Sequence, residues 1–134
     1  MDVKCARETN IDLQDVLTVL HDSGLGKHRP VGDRKRMATI IAQSSLIVGA
    51  RFDGKLIGYA RAVTDGAFVC YLVDLAVAKE HQRTGVGRKL VAELHRQAGD
   101  FCSIIVRTVP DATEFYARLG FRKLDDAYVI TRKQ

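Results

Sequence analysis

The sequence predicts a mixed α/β domain on one sheet, mostly antiparallel with a single parallel pair of strands. Three observations predict it. Asp53-Gly54 and Asp65-Gly66 separate runs of strand-forming residues, as turns do in consecutive antiparallel hairpins. The run over 68–77 is almost continuously apolar, which predicts a central strand covered on both faces. That run feeds a polar turn holding Gly85 and Gly87, then an amphipathic segment, then a β-branched run. Strand, helix and strand in that order call for parallel pairing.

Each element has its own signal. Residues 3–8 alternate roughly in polarity and form a first strand. A helix follows, capped by Asn10 or Asp12, with Leu13, Val16, Leu17 and Leu20 at helical spacing to about His21. Ser23-Gly24-Leu25-Gly26 ends it. Residues 27–33 form a loop with Pro30 and Gly32. A second helix over 34–43 has Asp33 as cap and Met37, Ile40 and Ile41 on one face. Its basic surface is either a solvated face or one wall of a substrate site. Residues 45–51 and 56–64 are strands around the first Asp-Gly turn, and the second turn is expected to be of the same kind.

The helix over 87–98 buries Leu90, Val91, Leu94 and Ala98 and leaves Arg88, Lys89, Glu93 and Arg96 largely outside. Gly99-Asp100 breaks it, and 103–108 is the parallel strand. Pro110 opens a short helix with Asp111 and Glu114 in its first turn. That helix carries Phe115, Tyr116 and Leu119 and ends at Gly120. Residues 121–124 and 128–132 read as two final strands, the last pairing the C-terminus into the sheet. With no linker, repeat or low-complexity segment, residues 1–134 read as one domain.

Composition narrows the function classes. A chain of 134 residues suits one domain with a core of useful size. No apolar run approaches the ~20 residues of a membrane span. Met1-Asp2-Val3-Lys4 has no apolar signal region, so a cytoplasmic protein without a membrane partner is expected. Cys5, Cys70 and Cys102 are odd in number and widely spaced, which is neither a disulfide framework nor a metal cluster, so no metal is expected. A net charge of +5 suits nucleic acid, acidic lipid or a polyanionic cofactor. The basic residues are spread along the chain without a nucleic-acid-binding signature, so no nucleic-acid partner is expected. A cofactor with several phosphates would use the charge equally well.

The turn between strand and helix is where that cofactor belongs. The first N–H groups of a helix lack partners and carry the positive end of its dipole, so they attract phosphate. Gly85 and Gly87 let a ligand approach the backbone. A P-loop is excluded because Arg88-Lys89-Leu90 follows, without the required Gly-Lys-Ser/Thr spacing. A dinucleotide fold fits poorly, since its third glycine position is Leu90 and hairpins precede the turn.

Gln82-Arg83-Thr84-Gly85-Val86-Gly87 resembles the Gln/Arg-x-x-Gly-x-Gly/Ala motif of the GNAT superfamily of acyl-CoA-dependent N-acyltransferases. Asp74-Leu75-Ala76-Val77 lies on the strand before it. Phe115-Tyr116-Ala117-Arg118-Leu119-Gly120-Phe121 resembles the family's second signature. The order of elements matches from end to end, with specific motifs over 70–124. The resemblance implies a sheet splayed between its two parallel strands, helices on both faces, and acetyl-CoA as cofactor. It implies that the backbone of Leu75, Ala76 and Val77 takes the pantetheine arm and can polarise the thioester carbonyl. Gln82, Arg83, Thr84, Gly85, Val86, Gly87 and Arg88 would cradle the pyrophosphate, with Lys89 adding charge. Tyr116 would sit near the sulfur and protonate it. The chain departs from the family at Val109-Pro110-Asp111, where many members have an asparagine, and it lacks a clear match for the usual glutamate base.

The implied reaction transfers acetyl to a primary amine by direct attack in a ternary complex. An alkylammonium near pKa ~10.4 must first lose a proton, and the leaving thiolate near ~8.5 can accept one. Asp74 is an ionisable group in an apolar strand, where burial is costly without a purpose. It is a candidate base, a group that steers the amine, or a satisfied structural carboxylate. Tyr71 on the same strand is a candidate pocket residue. The acceptor side is expected from residues 21–37 and 124–128. A small-molecule amine, aromatic or polyamine, is expected. The alternatives are a protein N-terminus or lysine, or a non-catalytic acyl-CoA sensor. A homodimer is also expected.

Overall fold

The computed structural model describes residues 2–134. The described residues form five strands and four helices, in the order β1 Lys4–Arg7, α1 Leu13–Ser23, α2 Arg34–Ala42, β2 Leu46–Phe52, β3 Lys55–Thr64, β4 Val69–Val77, α3 Val86–Ala98, β5 Ser103–Val106 and α4 Thr113–Arg118. Short 3-10 turns lie at Leu25–His28, Lys79–His81 and Pro110–Ala112. The strands form one sheet in the order β1-β2-β3-β4-β5. β1 to β4 pair antiparallel, and β4 pairs parallel with β5 across the α3 connection.

Local chemistry explains the element ends. Asp12 caps α1 by accepting from the Gln14 N–H at 3.0 Å, and Asp33 caps α2 by accepting from the Arg36 N–H at 3.0 Å. Asp53 and Gly54 both have positive φ, 50° and 78°, as a tight two-residue hairpin turn requires. The Asp65 turn differs from its expected twin. Its carboxylate accepts from the N–H groups of Ala67, Phe68 and Val69 at 2.9, 2.8 and 3.2 Å, so a longer, side-chain-centred loop replaces the two-residue turn.

The sheet separates two apolar layers. On one face Leu90 and Leu94 of α3 pack on Val48, Ile57, Ala60, Ala62 and Leu72. On the other, Val16 and Leu20 of α1 and Met37 of α2 pack on Ile47, Leu56, Tyr59 and Ala76. Each fully buried Leu contributes about 2 kcal/mol of transfer free energy. Gly58 permits the close approach of α3: a Cβ there would meet the Ala76 carbonyl oxygen at 3.0 Å and Leu90 Cδ1 at 3.3 Å.

Two expectations need correction. β4 is covered on both faces only from Asp74 onward, not along its whole length. It is fourth of five, and while Cys70 and Leu72 are buried under α3, Val69 and Tyr71 on the other face are more than a third exposed. α1 and α2 stop short of them. The predicted strands over 121–124 and 128–132 do not form. The apolar run Tyr128-Val129-Ile130 is exposed, and the chain ends beside α2, where Arg36 donates to the Gln134 carbonyl at 3.0 Å. Strand-forming residues make no ladder without an edge alongside, and this path keeps them from the free edge of β5. Among the described residues, no helix is long and apolar enough to cross a membrane.

Candidate active site

The parallel pair opens next to a bulge. The β4–β5 ladder runs from Val69↔Ser103 to Leu72↔Val106 and stops there. At the same level the β3–β4 register jumps, since Ala62 pairs with Leu72 and Arg61 with Asp74, which leaves Val73 unopposed. Beyond the bulge, residues 74–77 pair only with β3. Their other edge faces the gap left by β5, and such an edge offers N–H and C=O groups to an extended ligand.

The glycine turn lies just past that edge. Arg83 has φ of 63° and Gly85, the N-cap of α3, has φ of 91°. The cap makes no side-chain hydrogen bond. The backbone N–H groups of residues 83–88 donate to no group among the described residues, and the first to do so is Lys89, to the Gly85 carbonyl at 3.1 Å. Consecutive unpaired donors at the start of a 13-residue helix form an anion site, so the donor chemistry fits a pyrophosphate. The polar side chains of the turn brace it. Gln82 Nε2 donates to the Val77 carbonyl at 2.8 Å, and the Thr84 hydroxyl donates to the His81 carbonyl.

The two glycines serve different ends. The space beside Gly85 is open, with nothing within 4 Å of a Cβ placed there. At Gly87 a Cβ would meet Phe115 Cζ at 3.2 Å, so its missing side chain admits α4. Val86 is core, whereas Arg83 and Arg88 are exposed.

Phe115 ties α4 to the turn and orders Tyr116. The Tyr116 ring is buried between Phe115 and Phe121, edge to face, with centroids 5.1 and 5.4 Å away. Among the described residues its hydroxyl has no hydrogen-bond partner, yet it is not sealed from solvent, since no buried side-chain N or O atom among them lacks a partner. Burial pushes this phenol up to about 12.

Asp74 sits differently. It is 1% exposed and accepts from Arg29 Nε at 2.6 Å, Arg61 Nε at 2.7 Å and the Tyr59 hydroxyl at 2.9 Å. Burial alone would raise its pKa. The hydrogen bond and charge of Arg61, then the charge of Arg29, outweigh burial and hold it below the usual carboxylate range. Arg61 had a visible signal, because an arginine amid the apolar residues of β3 is as unusual as Asp74. Arg29, in a polar loop, had none. Tyr71 stands on the uncovered sheet face in a row with Val63 and Ile105, to which it is paired. A cleft of about 940 Å³ between α1, the β2–β3 hairpin and residues 78–81 is lined by His21 and Asp22 of the expected acceptor segment and by none of the candidate catalytic or cofactor residues.

A parallel pair that opens beside the start of a long helix, with a tyrosine on the next helix, is an arrangement suited to a transferase that takes its group from an extended, phosphate-bearing carrier. Residues 21–130 match the acetyltransferase (GNAT) domain, and the chain belongs to that family of acetyl-CoA-dependent N-acetyltransferases. It is 28% identical over 131 residues to an uncharacterized N-acetyltransferase, ycf52, of Pyropia yezoensis, a match covering 93% of this chain and 73% of the relative. It is 39% identical over 69 residues to GCN5-related N-acetyltransferase 2, chloroplastic, of Arabidopsis thaliana, covering 50% of this chain and 27% of that one. A GNAT-family acetyltransferase from Streptococcus pneumoniae has the same fold, with a TM-score of 0.80 at 22% identity, covering 99% of this chain and 98% of the other. So does an aminoglycoside N-acetyltransferase solved with CoA, with a TM-score of 0.72 at 19% identity over 99% and 96% of the two chains.

Proposed function

We propose that the enzyme acetylates a small-molecule amine by direct attack within a ternary complex. The observation that carries this reading is the run of unpaired N–H groups over 83–88, contiguous with the open edge of 74–77. When bound, acetyl-CoA supplies an acetyl group already activated as a thioester. The 83–88 amides, with Arg83 and Arg88, hold its pyrophosphate. The backbone of Leu75, Ala76 and Val77 aligns the pantetheine arm, and one N–H there polarises the thioester carbonyl.

With acetyl-CoA bound, Tyr116 would be the group nearest its sulfur. A phenol held at about 12 stays protonated at neutral pH. Complete transfer to a thiolate of ordinary pKa ~8.5 is uphill. Tyr116 would therefore serve chiefly as a hydrogen-bond donor to the thiolate that leaves, with the proton lost by the amine balancing its charge. With both carboxylate oxygens committed, Asp74 acts as a positioning group, and water removes the ammonium proton.

The uncovered row of Val63, Tyr71 and Ile105 lies one step below the opening of β4 and β5, on the face of α1 and α2. It supports an acceptor with an apolar or aromatic body. We place the enzyme in the cytoplasm as a homodimer. The aminoglycoside enzyme that shares the fold and the chloroplastic Arabidopsis relative supply the other acceptor class and the other compartment. Thiol release from acetyl-CoA with tyramine, spermidine, glucosamine and a lysine peptide tests the reading. Tyramine should react fastest. Fastest release with the lysine peptide would make proteins the acceptor. Tight CoA binding without release to any amine would make the chain a sensor.

A further inference from the structure

We propose that Arg29 is a positioning residue, tying the loop between α1 and α2 to the β4 bulge and thereby aiming the backbone groups that follow it. The inference rests on the acetyltransferase reading of residues 74–77. Arg29 Nε donates to Asp74 Oδ1 at 2.6 Å, and Nη2 of the same guanidinium donates to the Val73 carbonyl at 2.8 Å. Nη1 donates to the His28 carbonyl at 2.8 Å. One planar fork thus holds the main chain of residue 73, the side chain of residue 74 and its own loop. Leu75, the first of the three residues proposed to take the pantetheine arm, comes next.

Where the contact falls makes it more than a prop. The β4–β5 ladder ends at Leu72, so past the bulge β4 has lost one of its two neighbours. A bulged residue has no ladder partner to hold its peptide. Arg29 supplies the missing restraint by fixing the Val73 carbonyl, and with Asp74 pinned it leaves the 74–75 peptide little freedom to rotate. The other end of the fork is in the loop that runs through Pro30 to the Asp33 cap of α2, the wall on the acceptor side. Acceptor wall and acetyl-binding strand therefore share one side chain.

Arg29 is separable from the fold. Without it, Asp74 keeps two bonds from Arg61, at 2.7 and 3.2 Å, and one from Tyr59. Arg29 is also 22% exposed against 1% for Asp74, so its loss leaves no sealed, unpaired charge. A lysine carries the charge but lacks the fork, so it cannot hold Val73 and Asp74 together.

The test compares the full chain with Arg29→Met and Arg29→Lys in three measurements: hydrogen exchange of the 74–77 amides without ligand, CoA affinity by calorimetry, and kcat and KM with the fastest amine of the panel. In Arg29→Met, exchange should quicken about 10-fold, as expected when a local restraint is released. Misalignment of the carbonyl-polarising amide should cut kcat about 10- to 100-fold while KM for acetyl-CoA and the CoA Kd stay within about twofold. Arg29→Lys should fall between Arg29→Met and the parent in exchange and in kcat. Unchanged exchange at 74–77 overturns the proposal, and so does a kcat loss no larger than the loss of folded protein. If the parent chain acetylates no amine, the acetyltransferase reading fails on that arm, and the exchange arm still decides whether Arg29 restrains the bulge.

Discussion

At Tyr116 the hydroxyl has no protein partner, whereas at Asp74 both carboxylate oxygens accept from arginines and Tyr59. Both are ionisable groups in apolar surroundings, and their neighbours give them different work. Tyr116→Phe should lower kcat roughly 100-fold, the lower end of what a positioned acid contributes, and leave CoA affinity within about twofold. The lost hydroxyl was unpaired, so melting should barely move; an unchanged kcat with a good amine would remove Tyr116 from the chemistry. Asp74→Asn breaks a buried ion pair and should cost about 3 kcal/mol in chemical denaturation. The acid dependence carries a sign. The folded-state pKa of Asp74 lies below its ordinary 3.8, so the unfolded chain takes up this proton first. Its stabilisation is full above that value and fades as pH falls through the lower, folded-state pKa. The parent should therefore lose melting temperature on acidification more steeply than Asp74→Asn, whereas parallel curves would show Asp74 unshifted.

The turn from β4 into α3 sets the cofactor geometry, and its two glycines predict different variants. Gly85→Ala forces a side chain to φ of 91°, which should cost about 1–2 kcal/mol while the N–H donors remain. Gly85→Glu bears the same backbone cost and adds negative charge where the pyrophosphate belongs. CoA affinity measured by calorimetry should therefore fall far more in Gly85→Glu than in Gly85→Ala, and equal affinities would mean that the phosphate lies elsewhere. These elements were legible because their signals are local. The Asp12 and Asp33 caps, the Asp53-Gly54 turn and the stripe of α3 each follow from residues a few positions apart, and the parallel pair follows from the order strand, helix, strand. The pairing of Asp74 was harder to see: Arg61 stands out in β3 but is 13 residues away in sequence, and Arg29, 45 residues away in a polar loop, carries no signal. Gly87 was read as room for a ligand, and only the approach of Phe115 shows what its missing Cβ admits. The C-terminal strands were over-read for a related reason: residue preference over 128–132 describes what could pair, and pairing depends on which edge the chain reaches.

Among the described residues, large apolar side chains are uncovered chiefly in three places: the row of Val63, Tyr71 and Ile105, Phe68 and Phe101 just before β4 and β5, and the segment Tyr128-Val129-Ile130. Tyr128 is 97% and Ile130 100% exposed, more than a folded chain ordinarily leaves in water. In the proposed dimer this segment is covered by the second copy. Sedimentation should then give twice the chain mass for the parent and the chain mass for Ile130→Lys, and a monomeric parent would refute the dimer. In the proposed function, the amides of residues 83–88 beside the half-paired strand hold acetyl-CoA. Amide chemical shifts followed during a titration with CoA test it most directly. The largest changes are predicted at residues 83–88 and along 74–77. Changes confined to the cleft between α1 and the β2–β3 hairpin, or no saturable changes at all, would contradict it.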